Sequence, residues 1–173
     1  MLDLRLMSPP LVTPESLLEF AQKSLARTTD LRDVAQIIRS VARRATPADG
    51  ASFILREGNE CHYYDEDAIG PLWKGSRFPL NACISGWAMK HGESVVVPNI
   101  YQDPRIPLAA YGRTFVKALA IVPIGGEIPH AAIGVYWATH HRATEVEMER
   151  LQRLAAVADS PVRLCHPALT KTG

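Results

Sequence analysis

The groups in this chain able to do nucleophilic or redox chemistry are three thiols, Cys61, Cys83 and Cys165. Their number is odd and their spacing wide. No Cys-x-x-Cys occurs, so neither a zinc site nor a thioredoxin-type motif is encoded. Free cysteines of this kind point to a reduced, cytoplasmic protein. Six histidines accompany them: His62, His91, His130, His140, His141 and His166. The one adjacent pair, His140-His141, lies at the end of a predicted strand. Neighbours on extended backbone point to opposite sides and chelate poorly, which argues against a metal or haem site. No Gly-x-Ser-x-Gly, phosphate-binding loop or His-Glu-x-x-His is present. Gly125-Gly126 reads as a hairpin turn, because no helix follows to receive a phosphate.

The bulk composition excludes further classes. With 19 basic and 18 acidic residues, net charge is +1, and Lys and Arg form no patch of the kind nucleic acid requires. Arg43-Arg44 falls at a predicted helix end and complements its dipole. No apolar run approaches the roughly 20 residues that span a bilayer, and the N-terminus carries an early acid in place of a signal-peptide core. At 173 residues and 47% hydrophobic, the chain suits one domain with a filled core. The expected layout is an arm at 1–12, a domain at 13–164 and a tail at 165–173.

The elements that must position any site follow from caps and periodicity. Thr13-Pro14-Glu15 starts a helix carrying Leu17, Leu18, Ala21 and Leu25 at helical spacing. Asp30 starts a second, with Leu31, Val34, Ile38 and Val41 on one stripe. Residues 51–56 and 60–65 read as a hairpin around Glu57-Gly58-Asn59. A loop around Trp73 follows, then a short strand at 77–80, a helix at 84–91 and a strand at 94–100. Strands at 116–124 and 130–139 come next; in the latter Ala131, Ile133, Val135 and Trp137 alternate against Ala132, Gly134 and Tyr136. Thr144-Glu145-Val146-Glu147 is a capping box opening a helix with Leu151, Leu154, Ala155 and Ala158 on one face, which Pro161 is expected to end. Strands clustered mid-chain with hairpin connections and helices at both ends predict an α+β fold with a largely antiparallel sheet.

Several segments in this order resemble the GAF domain, a small sensory module of signalling proteins. They are Ala48-Asp49-Gly50-Ala51, Tyr64-Asp65-Glu66-Asp67, Cys83-Ile84-Ser85-Gly86-Trp87, Pro98-Asn99-Ile100-Tyr101-Gln102-Asp103-Pro104-Arg105 and Phe115-Val116-Lys117-Ala118-Leu119. The likeness spans roughly residues 12–162 and is greatest to GAF domains placed ahead of bacterial histidine kinases. It implies a six-stranded antiparallel sheet, terminal helices on one face, and a loop and short-helix roof enclosing a pocket on the other. The chain departs from that context in having no kinase core, ATP-binding glycine boxes or receiver domain.

In that frame the pocket candidates are polar Tyr64, Asp65, Asp67, Arg77, Asp103, Arg105, Arg113 and Lys117, with Cys83 and aromatic Trp73, Trp87, Phe115 and Tyr136. An arginine such as Arg77 or Arg113 could clamp an anion, and Asp65 and Asp67 could accept from a nucleobase or a cation. Plainer readings stand beside these: a self-satisfied turn for Asp103-Pro104-Arg105, solvated surface for Arg113 and Lys117, and core packing for Trp87. Leu17, Leu18, Ala21, Leu25, Leu151, Leu154, Ala155 and Ala158 are candidates for a dimer bundle of the terminal helices, as the resemblance implies. So is the apolar arm with Leu2, Leu4, Leu6 and Met7.

Branches of the family with special chemistry fit less well. Bilin attachment uses a Cys-His pair in the second half of the domain, whereas Cys61-His62 lies in the early hairpin. Free methionine sulfoxide reduction uses two cysteines; Cys83 could fill one role, but residues 115–119, where the second is expected, hold Ala118. The expected function is a non-catalytic cytoplasmic sensory domain, acting as a homodimer or on a histidine kinase or response regulator. It would bind an unidentified small molecule and contact neither nucleic acid nor membrane. The alternatives are a ligand-free interaction module and, third, a cysteine-dependent reductase of free methionine sulfoxide.

Overall fold

The helix-start signals act as the sequence predicts. In the computed structural model, which describes residues 11–166, α1 (Pro14–Leu25) begins at Thr13. The Ser16 amide donates to the Thr13 hydroxyl at 3.1 Å, and the Thr13 amide donates to the Ser16 hydroxyl at 2.9 Å. α2 (Leu31–Ala45) is capped by Asp30, which accepts from the Arg32 amide. α5 (Glu145–Cys165) opens on the Thr144–Glu147 capping box. Pro161 does not end this helix, contrary to expectation. Its ring removes one backbone donor, but Ala158 and Val162 on either side are fully buried and Arg163 pairs with Asp159 at 2.8 Å. Tertiary packing thus offsets a local cost of about 3 kcal/mol. The arm positions Leu2, Leu4, Leu6 and Met7, and the expected tail beyond His166, lie outside the described residues.

The strands are β1 (Gly50–Glu57), β2 (Glu60–Ala68), β3 (Arg77–Pro79), β4 (Val95–Val97), β5 (Ala118–Ile124) and β6 (Ala131–Trp137). They form one antiparallel sheet in the order β3-β2-β1-β6-β5-β4. This is the expected α+β architecture. Gly58, at φ +61°, turns the β1–β2 hairpin. β5 and β6 are buried on both faces, and their side chains sort by alternation. Ala118, Ala120, Val122, Ile133, Val135 and Trp137 join Phe53 and Leu55 against α1, α2 and α5. Leu119, Ile121, Ala132 and Tyr136 join Ile54 on the opposite face, beneath α3 (Ile84–His91) and α4 (Leu108–Tyr111). No helix among the described residues is long and apolar enough to cross a membrane.

Leu17, Leu18, Ala21, Leu25, Leu151, Leu154, Ala155 and Ala158 are all buried in the helix-face core of the chain itself. The outward faces of α1 and α5 carry Phe20 and Val146, both more than half exposed.

One ionisable group is built into the helix-face side. His130, 5% exposed at the entry to β6, donates Nε2–H to the Asp159 carboxylate of α5 at 2.7 Å, while its Nδ1 is buried without a partner. Burial holds the imidazole below its ordinary value, and Asp159 only partly offsets this. The unfolded chain therefore takes up the proton first as pH falls through about 6.5, and stability is lost in that direction. Urea unfolding is expected to give a lower midpoint at about pH 5.5 than at about pH 7. His130→Asn should flatten the difference; equal slopes for the two proteins would assign the pH dependence elsewhere.

Candidate functional site

The roof-face site begins with a β-bulge. Pairing of β1 with β2 runs Arg56 opposite Cys61 and Ile54 opposite Tyr63, then slips, so that Phe53 faces Asp65 and Tyr64 is the extra residue. Cys61 and Tyr63 point to the roof. Strict alternation would send Asp65 and Asp67 there too. The bulge turns them to the helix face instead. Arg39 of α2 donates to Asp65 at 2.6 Å and Lys74 pairs with it at 2.9 Å; Arg43 donates to Asp67 at 2.6 Å. Burial works against the charge on Asp65, yet the Arg39 and Lys74 bonds win and hold its carboxyl below the usual range. Tyr64 lies on the same face, edge-on to Phe53. Tyr64, Asp65 and Asp67 thus tie α2 to the sheet on the side away from the roof.

What the roof encloses is aromatic. The loop after β2 is folded back by the Glu66 carboxylate, which accepts from the amides of Leu72 at 2.8 Å and Lys74 at 2.6 Å. This drives Trp73 into the core, where its ring meets Tyr63, Tyr111 and Tyr136 edge-on at centroid distances of 4.7–5.4 Å. The Trp73 indole N–H donates to the Ala110 carbonyl at 3.0 Å and so pins α4 down. Between them lies a cavity of about 10 Å³ lined by Tyr63, Trp73, Phe78, Cys83, Pro107, Ala110 and Tyr111. It has room for about one water molecule. Beneath it, the Ser52 and Tyr136 hydroxyls are buried beside each other, and neither has any other hydrogen-bond partner. Burial pushes the Tyr136 phenol well above its usual range, and the neighbouring Ser52 hydroxyl offsets only part of that. Gly134 leaves the room Tyr136 needs, since a Cβ there would collide with the phenol oxygen.

Cys83 caps the roof helix. The Gly86 amide donates to its sulfur at 3.4 Å, and α3 ends at Gly92, left-handed at φ +64°. The Cys61 sulfur lies 3.1 Å from that of Cys83, and Tyr63 and Ser85 share a hydrogen bond at 3.0 Å beside them. The contact with Cys83, and burial after it, push the Cys61 thiol up. The Cys61 contact, against the cost of burial, holds Cys83 below its ordinary value, with the Gly86 amide helping.

The remaining candidates stand at the rim. Arg105 pairs with Asp103 at 2.7 Å and places its guanidinium 4.5 Å over the Trp87 ring, which itself stacks on His91. Asp103-Pro104-Arg105 is therefore a self-satisfied turn, and Trp87 is half-buried roof edge. Arg77 pairs with Glu57 at 2.6 Å. Arg113 and Lys117 are exposed, and neither forms an ion pair among the described residues. Phe115 is half-buried over Gly50. The site thus gathers Trp73, Cys83 and Tyr136. Missing from the sequence reading were Tyr63, Phe78, Ser85 and Tyr111. Spacing of two from Cys61 to Tyr63 along a predicted strand was the available signal. A surface groove of about 300 Å³ between α5 and the β5 end is larger, but its Asp159 is already engaged by His130 and Arg163. No group of metal-ligating side chains occurs among the described residues.

The family model for the GAF domain matches residues 28–160. No curated protein matches the sequence. Among solved structures, the chain is similar to the free methionine-R-sulfoxide reductase of Neisseria meningitidis solved with its substrate. Identity is 18%, coverage 90% of this chain and 91% of that one, and the TM-score 0.75. It is similar to the GAF domain of a phosphoenolpyruvate-protein phosphotransferase from Coxiella burnetii (13%, 90% and 95%, TM-score 0.78). It is also similar to the chromophore-binding domain of a bacteriophytochrome from R. palustris (16%, 88% and 62%, TM-score 0.72). At these identities the likeness shows the fold alone.

The placement of Asp65 makes it a structural residue of the helix face. Asp65→Ala is expected to lower stability by about 1–3 kcal/mol in urea unfolding, because Arg39 and Lys74 lose a partly buried partner. The near-ultraviolet dichroism of the Trp73 cluster should be unchanged; a changed spectrum would place Asp65 in the roof-face site.

Proposed function

This chain belongs to the GAF domain family, and we propose that it is a non-catalytic sensory domain that takes a small ligand beneath the α3–α4 roof. The observation that carries this reading is the pair of neighbouring hydroxyls, Ser52 and Tyr136, buried under the aromatic roof with no partner apart from each other. Each such group costs about 1–3 kcal/mol unless something hydrogen-bonds to it. A ligand with polar atoms at that depth would satisfy both and, to enter, would displace Trp73 from Ala110. The ligand class this favours is a small, largely apolar molecule with one or two polar atoms, since no charged side chain lines the cavity. The output would run through β1 and β6 to α1, α2 and α5, whose exposed faces offer Phe20 and Val146 to a dimer mate or a kinase-type partner.

A ligand-free interaction module is the second reading, favoured by the small volume of the closed cavity. A reductase of free methionine sulfoxide is the third. It draws on the adjacent thiols of Cys61 and Cys83, while Ala118, where the family's second cysteine was expected, is buried in the helix-face core.

Two measurements test the first reading. Native mass spectrometry of the protein from its own source should show a bound mass that disappears on denaturation, and Tyr136→Phe should lose it. In the ligand-free state Tyr136→Phe should keep its stability to within about 1 kcal/mol, because the phenol has no partner but the neighbouring Ser52 hydroxyl. A ligand-free dimer with a destabilised Tyr136→Phe would favour the interaction module. Consumption of free methionine-R-sulfoxide with a thiol reductant, abolished in Cys83→Ser, would favour the enzyme.

A further inference from the structure

We propose that Cys83 and Cys61 form a peroxide-reactive dithiol, Cys83 the attacking sulfur and Cys61 the resolving one, closing to a disulfide that links the roof helix to β2. The two sulfurs are 3.1 Å apart, nearer than an ordinary non-bonded sulfur contact and about 1 Å from bonding distance. No other described cysteine is within reach, Cys165 lying against the Thr28 carbonyl near the far end of α5.

The two thiols are not equivalent, and the asymmetry sets their roles. Cys83 keeps 9% of its surface exposed and lines the one-water cavity, whereas Cys61 is fully buried. Cys83 sits at a helix N-terminus, where the Gly86 amide and the helix dipole favour the thiolate, and Cys61's S–H can donate to it once it forms. The site therefore presents a stabilised thiolate to whatever enters the cavity, with a protonated thiol behind it. A cavity of about 10 Å³ selects by size: it admits a molecule near the size of water, such as hydrogen peroxide, and excludes an amino-acid sulfoxide unless the roof opens.

The chemistry balances without a further reagent. The Cys83 thiolate attacks one peroxide oxygen; the S–O bond forms as the O–O bond breaks. The sulfur is oxidised to a sulfenic acid, and the departing hydroxide leaves as water with the proton that Cys83 had released. The Cys61 sulfur then attacks the Cys83 sulfur. The S–S bond forms, the S–O bond breaks, and the hydroxyl leaves with the Cys61 proton as a second water. Two thiols and one peroxide give one disulfide and two waters. The step changes the roof directly, because the sulfur drawn toward β2 is the N-cap of α3. Gly86 behind it has no slack, since a Cβ there would collide with the Leu80 carbonyl. This dithiol stands independently of whether another ligand binds beneath the roof.

The test uses the full chain carrying Cys165→Ser, reduced and treated with equimolar hydrogen peroxide, then alkylated and mapped by mass spectrometry. The expected result is a Cys61–Cys83 cross-linked peptide that dithiothreitol reverses. Adding Cys61→Ser should stop the reaction at a Cys83 sulfenic acid that dimedone traps. Adding Cys83→Ser, which retains a good helix cap, should slow thiol loss at Cys61 by at least about tenfold. No cross-linked peptide, or equally fast oxidation of Cys61 without Cys83, would overturn the proposal. Faster disulfide formation with free methionine-R-sulfoxide than with peroxide would overturn the assignment of the oxidant. Failure of the native mass spectrum to show a ligand bears on the sensory reading and leaves these outcomes unchanged.

Discussion

The constraint on which the rest of this structure depends is the period-two alternation of a sheet buried on both faces. β6, nearly all of β5 and the first six residues of β1 have no solvent side to spare, so their apolar residues are committed to one of two cores. A slip of one position would exchange them wholesale. The bulge at Tyr64 shows that rule interrupted once, to a purpose. Before it, Cys61 and Tyr63 supply the roof face with a thiol and a phenol. After it, Asp65 and Asp67 would bring two carboxylates into an apolar core, and burying unpaired charge is far more costly than one lost ladder bond. Reversing the faces at Tyr64 places them against Arg39 and Arg43, where the same charges hold α2 on the sheet.

The two faces differ in kind as a result. On the helix side three long helices are cross-braced by ion pairs and by Arg150 donating to the Ala45 carbonyl. On the roof side the elements are short: 3₁₀ turns at Leu80–Ala82 and Ile100–Gln102, an eight-residue helix and a four-residue helix. Such pieces have too few internal bonds to stand alone. Trp73 holds α4, with its ring among three tyrosines and its N–H on Ala110, while α3 is held by its buried Ile84, Ala88 and Met89 and by Ser85 on Tyr63. α4, fastened by one indole on one carbonyl, is the piece of the roof with the least to hold it, and short elements of that kind have low local stability.

Local chemistry in the sequence was enough to place most elements. The caps at Thr13, Asp30 and Thr144, the Gly58 hairpin and the alternation in β6 are determined within a few residues, and each appears where its residues predict. The Asp103–Arg105 turn was legible for the same reason, since both partners lie in it. Long-range balances were not legible. Pro161 stays helical because Val162 is needed in a core assembled from strands far away in sequence. The bulge depends on what β1 and α2 offer across the sheet. The family resemblance supplied a roofed pocket but, carried over segment by segment, put Tyr64, Asp65 and Asp67 in it, whereas Tyr63, one residue earlier, is the side chain that lines the cavity.

A sensor needs two arrangements that an input can tell apart, and the geometry limits where the second can lie. The helix-face core and the sheet are filled and braced, so a change there would cost many contacts at once. The roof face holds the unfavourable features: two buried hydroxyls with no partner apart from each other, and two sulfurs at less than contact distance beside a cavity of about 10 Å³. Each is a local cost that a different arrangement of the same few residues would relieve, by admitting polar atoms in the one case and by forming a covalent bond in the other. Both changes act on Trp73 or on the cap of α3, two of the points that hold the roof. Whatever input reaches this fold, the element with somewhere to go is the roof. On the sensory reading proposed above, the sheet beneath would carry its movement, because Tyr136 and its β6 neighbours Val135 and Trp137 belong to opposite cores on a single strand.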